Sequence, residues 1–316
     1  MDRTTATALQ ASLEVSRREF LAAIGELRPK LHRFCARMCG SVLDGEDVVQ
    51  EALAQAFYHL PSLKDQSRLE PWLFRIAHHR CVDLLRQERR QREDTVPYEE
   101  EHEPESATAE SESDEPIAET LAALVGVLPP KERASVLLKD VLEYRLSEVA
   151  EVVDSTVGGV KAALHRGRAK LRALQAAPSQ VELDRQQRKL LDSYVECFNR
   201  RDWDALRRLI QVDAKIEIVD VFDGKLEDSG YFGNYAGLPW EWKLSLARVD
   251  GEPLIVHWKK VGADWRPRSA IKLWWQGGKV VRIKDYAHVD YLLRDAHTEA
   301  DSRGRGLVPC VDQFTR

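Results

Sequence analysis

Apolar positions recur at steps of three and four through roughly the first two thirds of this chain, then at steps of two. The first spacing predicts amphipathic helices and the second predicts strands with one buried face. From Asp44 to Leu60 the apolar stripe is Val49, Leu53, Ala56, Phe57 and Leu60, and Asp47, Gln50 and Glu51 share the opposite face. From Glu70 to Arg90, Trp72, Leu73, Ile76, Ala77 and Leu84, with Leu69 just ahead, make a core side. Arg75, His79, Arg86 and Arg90 make a basic stripe there, with Arg80 and Arg89 beside it. Leu128-Pro129-Pro130 starts another helix, because the N–H that a proline lacks is unpaired in a first turn anyway.

Residues 145–172 read as two short helices joined by a tight turn. Leu146, Val149, Ala150 and Val153 mark the buried side of the first, with Ser147 placed to cap it. Asp154-Ser155-Thr156 is the connection and supplies caps for the second. Val157, Val160, Leu164 and Leu171 then form an apolar side, and Lys161, His165, Arg168 and Arg172 a basic one. Gly158-Gly159 at the helix start lets the backbone approach a phosphate. A recognition helix enters a major groove in this way. An ordinary amphipathic helix with a solvated basic face has the same pattern.

Beyond residue 182 the order is helix, helix, strands. Leu183 to Phe198 and Asp204 to Ile210 are helical, and strands follow at Ile216/Ile218, Lys243 to Leu246, Leu254 to Trp258, Ala270 to Trp275 and Val280 to Tyr286. Gln276-Gly277-Gly278-Lys279 is a hairpin turn between the last two.

Charge changes the picture when it is placed along the chain. The net charge of −5 suits a nucleic-acid binder poorly, but residues 93–116 hold eleven acids and no Lys or Arg, leaving +6 on the rest. That segment, rich in Glu, Ser and Pro, is expected to be a disordered linker. The 316 residues predict two or three domains, and the five cysteines are irregularly spaced and imply no disulfide framework. His32, Cys35 and Cys39 share a helix face; small buried thiols explain them without a metal. No apolar run spans a bilayer and no secretory signal is visible, so a cytoplasmic protein without a membrane contact is expected.

The block 128–172 resembles region 4 of bacterial extracytoplasmic-function (ECF) RNA polymerase sigma factors. Leu128-Pro129, Arg133, Glu148-Val149-Ala150, Val160-Lys161 and Arg166-Gly167-Arg168 carry the likeness; Ala162-Ala163 and Gly167 depart from the usual pattern. Asp47-x-x-Gln50-Glu51 and Trp72-Leu-x-Arg-Ile-Ala, followed by Asp83-x-x-Arg86, resemble region 2, with His79 where Asn is common. The resemblance implies that Asp47, Gln50 and Glu51 dock on the clamp helices of core RNA polymerase, whose flap is a further contact. It implies that Lys64, Arg68, Trp72, Arg75, His79, Arg80 and Arg86 act on the minus-ten promoter element. Trp72 falls near the upstream fork and the loop 64–68 where a flipped base is held, although a core role explains Trp72 equally well. Ser155, Thr156, Lys161, Ala162, His165 and Arg166 are implied at the minus-thirty-five element. The linker then passes through the polymerase cleft, or serves only as a solubilising tether.

The C-terminal pattern resembles the SnoaL-like cone fold shared with ketosteroid isomerases. The expected fold class is therefore multidomain: two all-α DNA-binding domains, sigma region 2 (15–92) and the region 4 helix-turn-helix (117–175), then an α+β SnoaL-like cone (182–295). A linker (93–116) and a tail (296–316) complete it. In the family such an extension tunes sigma activity by contacting the sigma domains or core polymerase. Trp240, Trp242, Trp258, Trp265, Trp274, Trp275, Tyr231 and Tyr286 could instead line a cavity, with Asp220, Asp285 and His288 as acid/base groups. No spacing identifies a catalytic pair. The reading is a non-enzymatic sigma factor without cofactor or metal. The alternative is a DNA-binding regulator whose tail binds or turns over a small molecule.

Overall fold

A left-handed glycine, Gly40 (φ 84°), ends helix α1 (Leu27–Cys39), and Ser41 caps α2 (Val42–His59) by accepting from the Asp44 N–H. The two helices pack closely at Gly45, where a Cβ would come within 2.5 Å of the Ala36 backbone. Two 3₁₀ turns lead into α3 (Leu69–Glu93). These features belong to a computed structural model that describes residues 20, 22, 24–93, 128–173 and 183–300. Most of the acidic linker, the joint at residues 176–180 and the tail from 301 lie outside the described residues.

The chain divides into two compact units between Ala177 and Pro178. In the first, α4 (Pro130–Val136) runs into a wider π-helical turn at Leu137–Val141. Helices α5 (Leu146–Val152) and α6 (Val157–Ala173) follow. The helix-turn-helix does not form a core of its own. Phe34, Leu73, Phe74, Leu128, Val136, Leu138 and Val160 belong to one continuous buried cluster spanning both sequence blocks. Phe74 stacks on Tyr144 at 5.3 Å, and the Tyr144 hydroxyl donates to Glu70. Arg133, 4% exposed, donates to the Met38 and Leu128 carbonyls. Two small helical blocks each have little apolar surface to bury alone, and sharing one core resolves that.

The second unit begins with α7 (Arg185–Asn199), capped by Asp184, and α8 (Trp203–Arg208), capped by Asp202. Strands β1 (Ile210–Ile218) and β2 (Phe222–Lys225), helix α9 (Tyr231–Ala236), then β3 (Trp242–Val249), β4 (Glu252–Val261), β5 (Asp264–Gln276), β6 (Lys279–Asp285) and β7 (Thr298–Ala300) complete it. The sheet order is β2-β1-β6-β5-β4-β3-β7. It is an α+β unit as expected, but the sheet is mixed: β1 pairs parallel with β6, while the other neighbouring strands pair antiparallel. The helix expected to reach Ile210 stops at Arg208, because Ile210 already pairs with Val280. β7 pairs with β3, so the sheet runs past residue 295.

Candidate nucleic-acid interface

Helix α6 starts where Thr156 Oγ1 accepts from the Gly159 N–H at 3.0 Å. Val160, Ala163, Leu164, Gly167 and Leu171 are its buried side. Gly167 is tight against α4, since a Cβ there would meet Val136 at 3.0 Å. Thr156, Lys161, Ala162 and His165 are exposed, and Ser155 is half-buried. Arg166 is also exposed but is paired with Glu132 at 2.8 Å, as is Lys170 at 2.9 Å. The part of the basic face of α6 that is exposed and not held by Glu132 is therefore centred on Lys161 and His165.

Three readings of this segment are corrected, those of Ser147, Val157 and Arg168; Gly159 has a local reason besides. Ser147 lies inside α5 and does not cap it; Arg145 is the N-cap, and Glu148 accepts from its N–H. Val157 is 41% exposed, because it stands at the first turn, ahead of the packed surface. Arg168 leaves the outer face to make two bonds with Asp140 at 2.6 and 3.0 Å. At Gly159 the missing side chain makes room for Ser155, whose Oγ would be 2.5 Å from a Cβ.

The basic stripe of α3 does not face open solvent throughout. Arg75 Nε lies 3.2 Å from Asp154 Oδ1, and His79 Nε2 lies 2.7 Å from Asp154 Oδ2. Arg68 pairs with Glu151. Asp154 is in the turn before α6, with φ at 47°, so the turn of one block grips the stripe of the other. A groove of 640 Å³ lies at this junction and is lined by Lys64, Arg68, Trp72, Arg75, Glu151 and Asp154 among others. Trp72 is half-buried: it packs on the core cluster, as its core reading requires, and it also lines the groove. Arg80 turns aside to donate to Gln55, and Arg86 stands 3.9 Å from Asp83.

On α2, Glu51 is exposed while Asp47 and Gln50 are half-buried. Val48 and Ala52 join Val49, Leu53 and Ala56 in the core, making the buried side broader than the stripe suggested. Glu46 is also buried, held by Arg28 at 2.7 Å. His32 meets the Val42 carbonyl at 3.0 Å, and Cys35 and Cys39 pack with Cys81 in the core. Burial raises the thiol pKa of Cys35 and Cys81. Next to this stripe, burial pulls His78 down to about 4, so it is neutral at pH 7.

In the second unit the three proposed acid/base groups do not share an environment. Asp220 and His288 are exposed, whereas Asp285 is fully buried. Both Tyr231 and Tyr235 donate to Asp285 Oδ2 at 2.7 Å, and the Ala287 N–H donates to Oδ1 at 2.8 Å. Burial raises the Asp285 pKa and these bonds oppose it. Tyr231 and Trp242 belong to the packed core, and Trp240 and Trp275 lie against it. Trp258 is buried with its Nε1 on Ser245, Tyr286 is buried beneath Lys284, and Trp265 and Trp274 carry cations over their rings. The aromatic residues thus fill and cover the sheet.

Glu151 and Asp154 were not among the sequence-derived site residues. Their partners are 83 and 75 positions away, and no local pattern links acids to bases at that distance.

Residues 23–91 match the Sigma-70 region 2 family, and residues 118–171 match Sigma-70, region 4. The chain is 30% identical over 158 residues to the ECF RNA polymerase sigma factor SigW of Bacillus subtilis, covering 46% of this chain and 82% of SigW. It is 28% identical over 228 residues to SigG of Mycobacterium tuberculosis, covering 63% of this chain and 60% of SigG. It thus spans less than two thirds of that relative. The crystal structure of the M. tuberculosis ECF sigma factor SigJ aligns with 84% of this chain and 95% of its own, at a TM-score of 0.33 and 18% identity.

Proposed function

The chain belongs to the ECF RNA polymerase sigma factor family, and on that premise we propose that it is an alternative sigma factor directing core RNA polymerase to promoters. The observation that carries this is the outer surface of α6. Thr156, Lys161, Ala162 and His165 are exposed on a helix whose other side is fixed in the core. A duplex major groove accepts such a helix, with Lys161 and Arg166 on phosphates or base edges. Lys64, Arg68, Trp72, Arg75, His79, Arg80 and Arg86 would hold the opened minus-ten strand through charge and an aromatic platform. The mechanism is binding, with no bond made or broken by the protein.

In this reading the helix-turn-helix acids occupy the strand-binding stripe until polymerase and DNA separate the two blocks. Carboxylates on Arg75 and His79 stand where phosphates would. The site of action is the cytoplasm; no helix among the described residues is long and apolar enough to cross a membrane. The C-terminal unit has a regulatory role and no catalytic duty, because Asp285 is committed to two tyrosines and Asp220 and His288 face solvent.

The test is core binding by the full chain. Asp47→Lys with Glu51→Lys should abolish retention of core polymerase while leaving the circular-dichroism spectrum unchanged. Retention equal to wild type would refute the docking face.

A further inference from the structure

We propose that the C-terminal unit binds the carboxylate of a small organic acid where Trp240, Trp242, His257 and Lys259 meet on one end of the sheet. This stands apart from the transcriptional reading and does not depend on it.

The strand register brings the groups together. Trp242 on β3 pairs with Lys259 on β4, and Lys259 pairs with Arg266 on β5. Two cations directly opposite one another repel unless an anion lies between or above them. Lys259 Nζ is 4.6 Å from the centre of the Trp240 ring, and the Arg268 guanidinium is 5.4 Å from it. The strands β3 to β6, from Lys243 to Lys284, carry ten Lys or Arg and three acids. Of the nearby carboxylates, Glu241 is bound to Lys260, and Asp290 faces Arg268 from an exposed position. Arg266 is exposed, and Lys259, half-buried, holds its Nζ over the Trp240 ring.

The second observation is two buried N–H or nitrogen sites without a partner. His257 lies two residues from Lys259 on the same face of β4, is 1% exposed, and has its ring 5.6 Å from that of Trp242. Among the described residues its Nε2 has no hydrogen-bond partner, and neither does the buried Nε1 of Trp240. An indole nitrogen only donates, so the group missing from Trp240 is an acceptor. On the other side of the His257 ring, Ser269 Oγ is 3.4 Å from Nδ1. When that hydroxyl donates to Nδ1, Nε2 carries the ring proton and becomes a second donor. Burial, with Arg268 and Arg201 nearby, brings the His257 pKa down to about 4, so the ring donates as a neutral group.

Two unpaired donors beside an excess of cations describe a carboxylate receptor, since charge-assisted bonds to a carboxylate satisfy both demands. Arg201, 3.4 Å above the Trp242 ring, is not part of the receptor: it donates to the carbonyls of Phe198, Asn199 and Trp242 and fixes the Trp242 ring. Phe232 and Leu238, partly buried against the same core as Trp240, offer apolar surface to an organic body.

The experiment is a titration of the ¹⁵N-labelled full chain followed at the Trp240 indole N–H, assigned by its loss in Trp240→Phe. Sodium benzoate should move this signal saturably, and benzamide, its uncharged analogue, should not. Lys259→Gln should weaken benzoate roughly tenfold, the size of a lost charge-assisted bond, without changing the melting temperature. Three outcomes overturn the proposal. They are no movement with benzoate at tens of millimolar, equal movement with benzamide, and tighter binding of inorganic phosphate than of benzoate, which would make the site one for inorganic anions.

Discussion

Asp154 and His79 are joined at 2.7 Å, and the other carboxylate oxygen of Asp154 faces Arg75 at 3.2 Å. This one side chain ties the turn before the recognition helix to the stripe assigned to the minus-ten strand. All three side chains are about half exposed, so the contact is weak enough to open: such pairs contribute under ~1 kcal/mol each. Asn tolerates the left-handed backbone at this position, so Asp154→Asn removes the charge without straining the turn. The variant should bind a fluorescent single-stranded minus-ten oligonucleotide about fivefold more tightly, the factor that ~1 kcal/mol gives. Hydrogen exchange in α5 should rise with it. An unchanged affinity would mean that the stripe is not occluded.

Arg133 anchors one sequence block to the other through the carbonyls of Met38 and Leu128. Arg133→Met keeps much of the volume but leaves two buried acceptors unpaired. That should cost about 2–4 kcal/mol and lower the urea midpoint of the first unit, with helical content retained below it. A midpoint equal to wild type would show that the two blocks are stabilised independently of this contact.

His78 makes the first unit acid-sensitive. Its folded pKa, about 4, is below the unfolded value of 6.5 because burial disfavours the imidazolium. The unfolded chain therefore binds an extra proton between those values. The stability is complete above pH 6.5 and is lost as pH falls toward 4. From pH 7.5 to 5 this side chain should cost about 2 kcal/mol, and the difference between wild type and His78→Leu in urea titrations isolates it. His257 acts in the same direction in the other unit. Parallel pH curves for wild type and variant would contradict the assignment.

The buried carboxylate Asp285 is a structural anchor in this account. Asp285→Ala leaves the hydroxyls of Tyr231 and Tyr235 without their acceptor and should destabilise the second unit by about 2–4 kcal/mol. Asp285→Asn keeps an acceptor oxygen and should cost less. Asp220→Asn and His288→Gln, at exposed positions, should stay within ~0.5 kcal/mol. Thermal melts monitored by tryptophan fluorescence check the order; equal effects at all three positions would contradict it.

The helices were legible because their apolar stripes repeat locally. The Thr156 cap and the buried Val160 and Leu164 are where periodicity puts them. Phe74 and Glu46 were missed: both are in the core, one stacked on a ring 70 residues away and the other neutralised by Arg28. A local pattern also cannot show that Arg168 prefers Asp140 to DNA-facing solvent, or that β1 pairs parallel with β6. The roles proposed for Lys161, His165 and the α2 face rest on the family resemblance; the structure adds that Lys161, His165 and Glu51 are exposed while Asp47 and Gln50 are half-buried. The grip of Asp154 on α3 came only from the folded arrangement.

The most direct measurement is transcription in vitro from a promoter selected by this chain, using core RNA polymerase and no other sigma factor. The full chain alone should programme core polymerase to start at one position. Replacing Lys161, His165 and Arg166 together by Ala should abolish initiation that depends on the minus-thirty-five element while core binding persists. No transcript from core polymerase, with the chain still binding the same duplex on its own, would contradict the account and identify a DNA-binding regulator that is not a sigma factor.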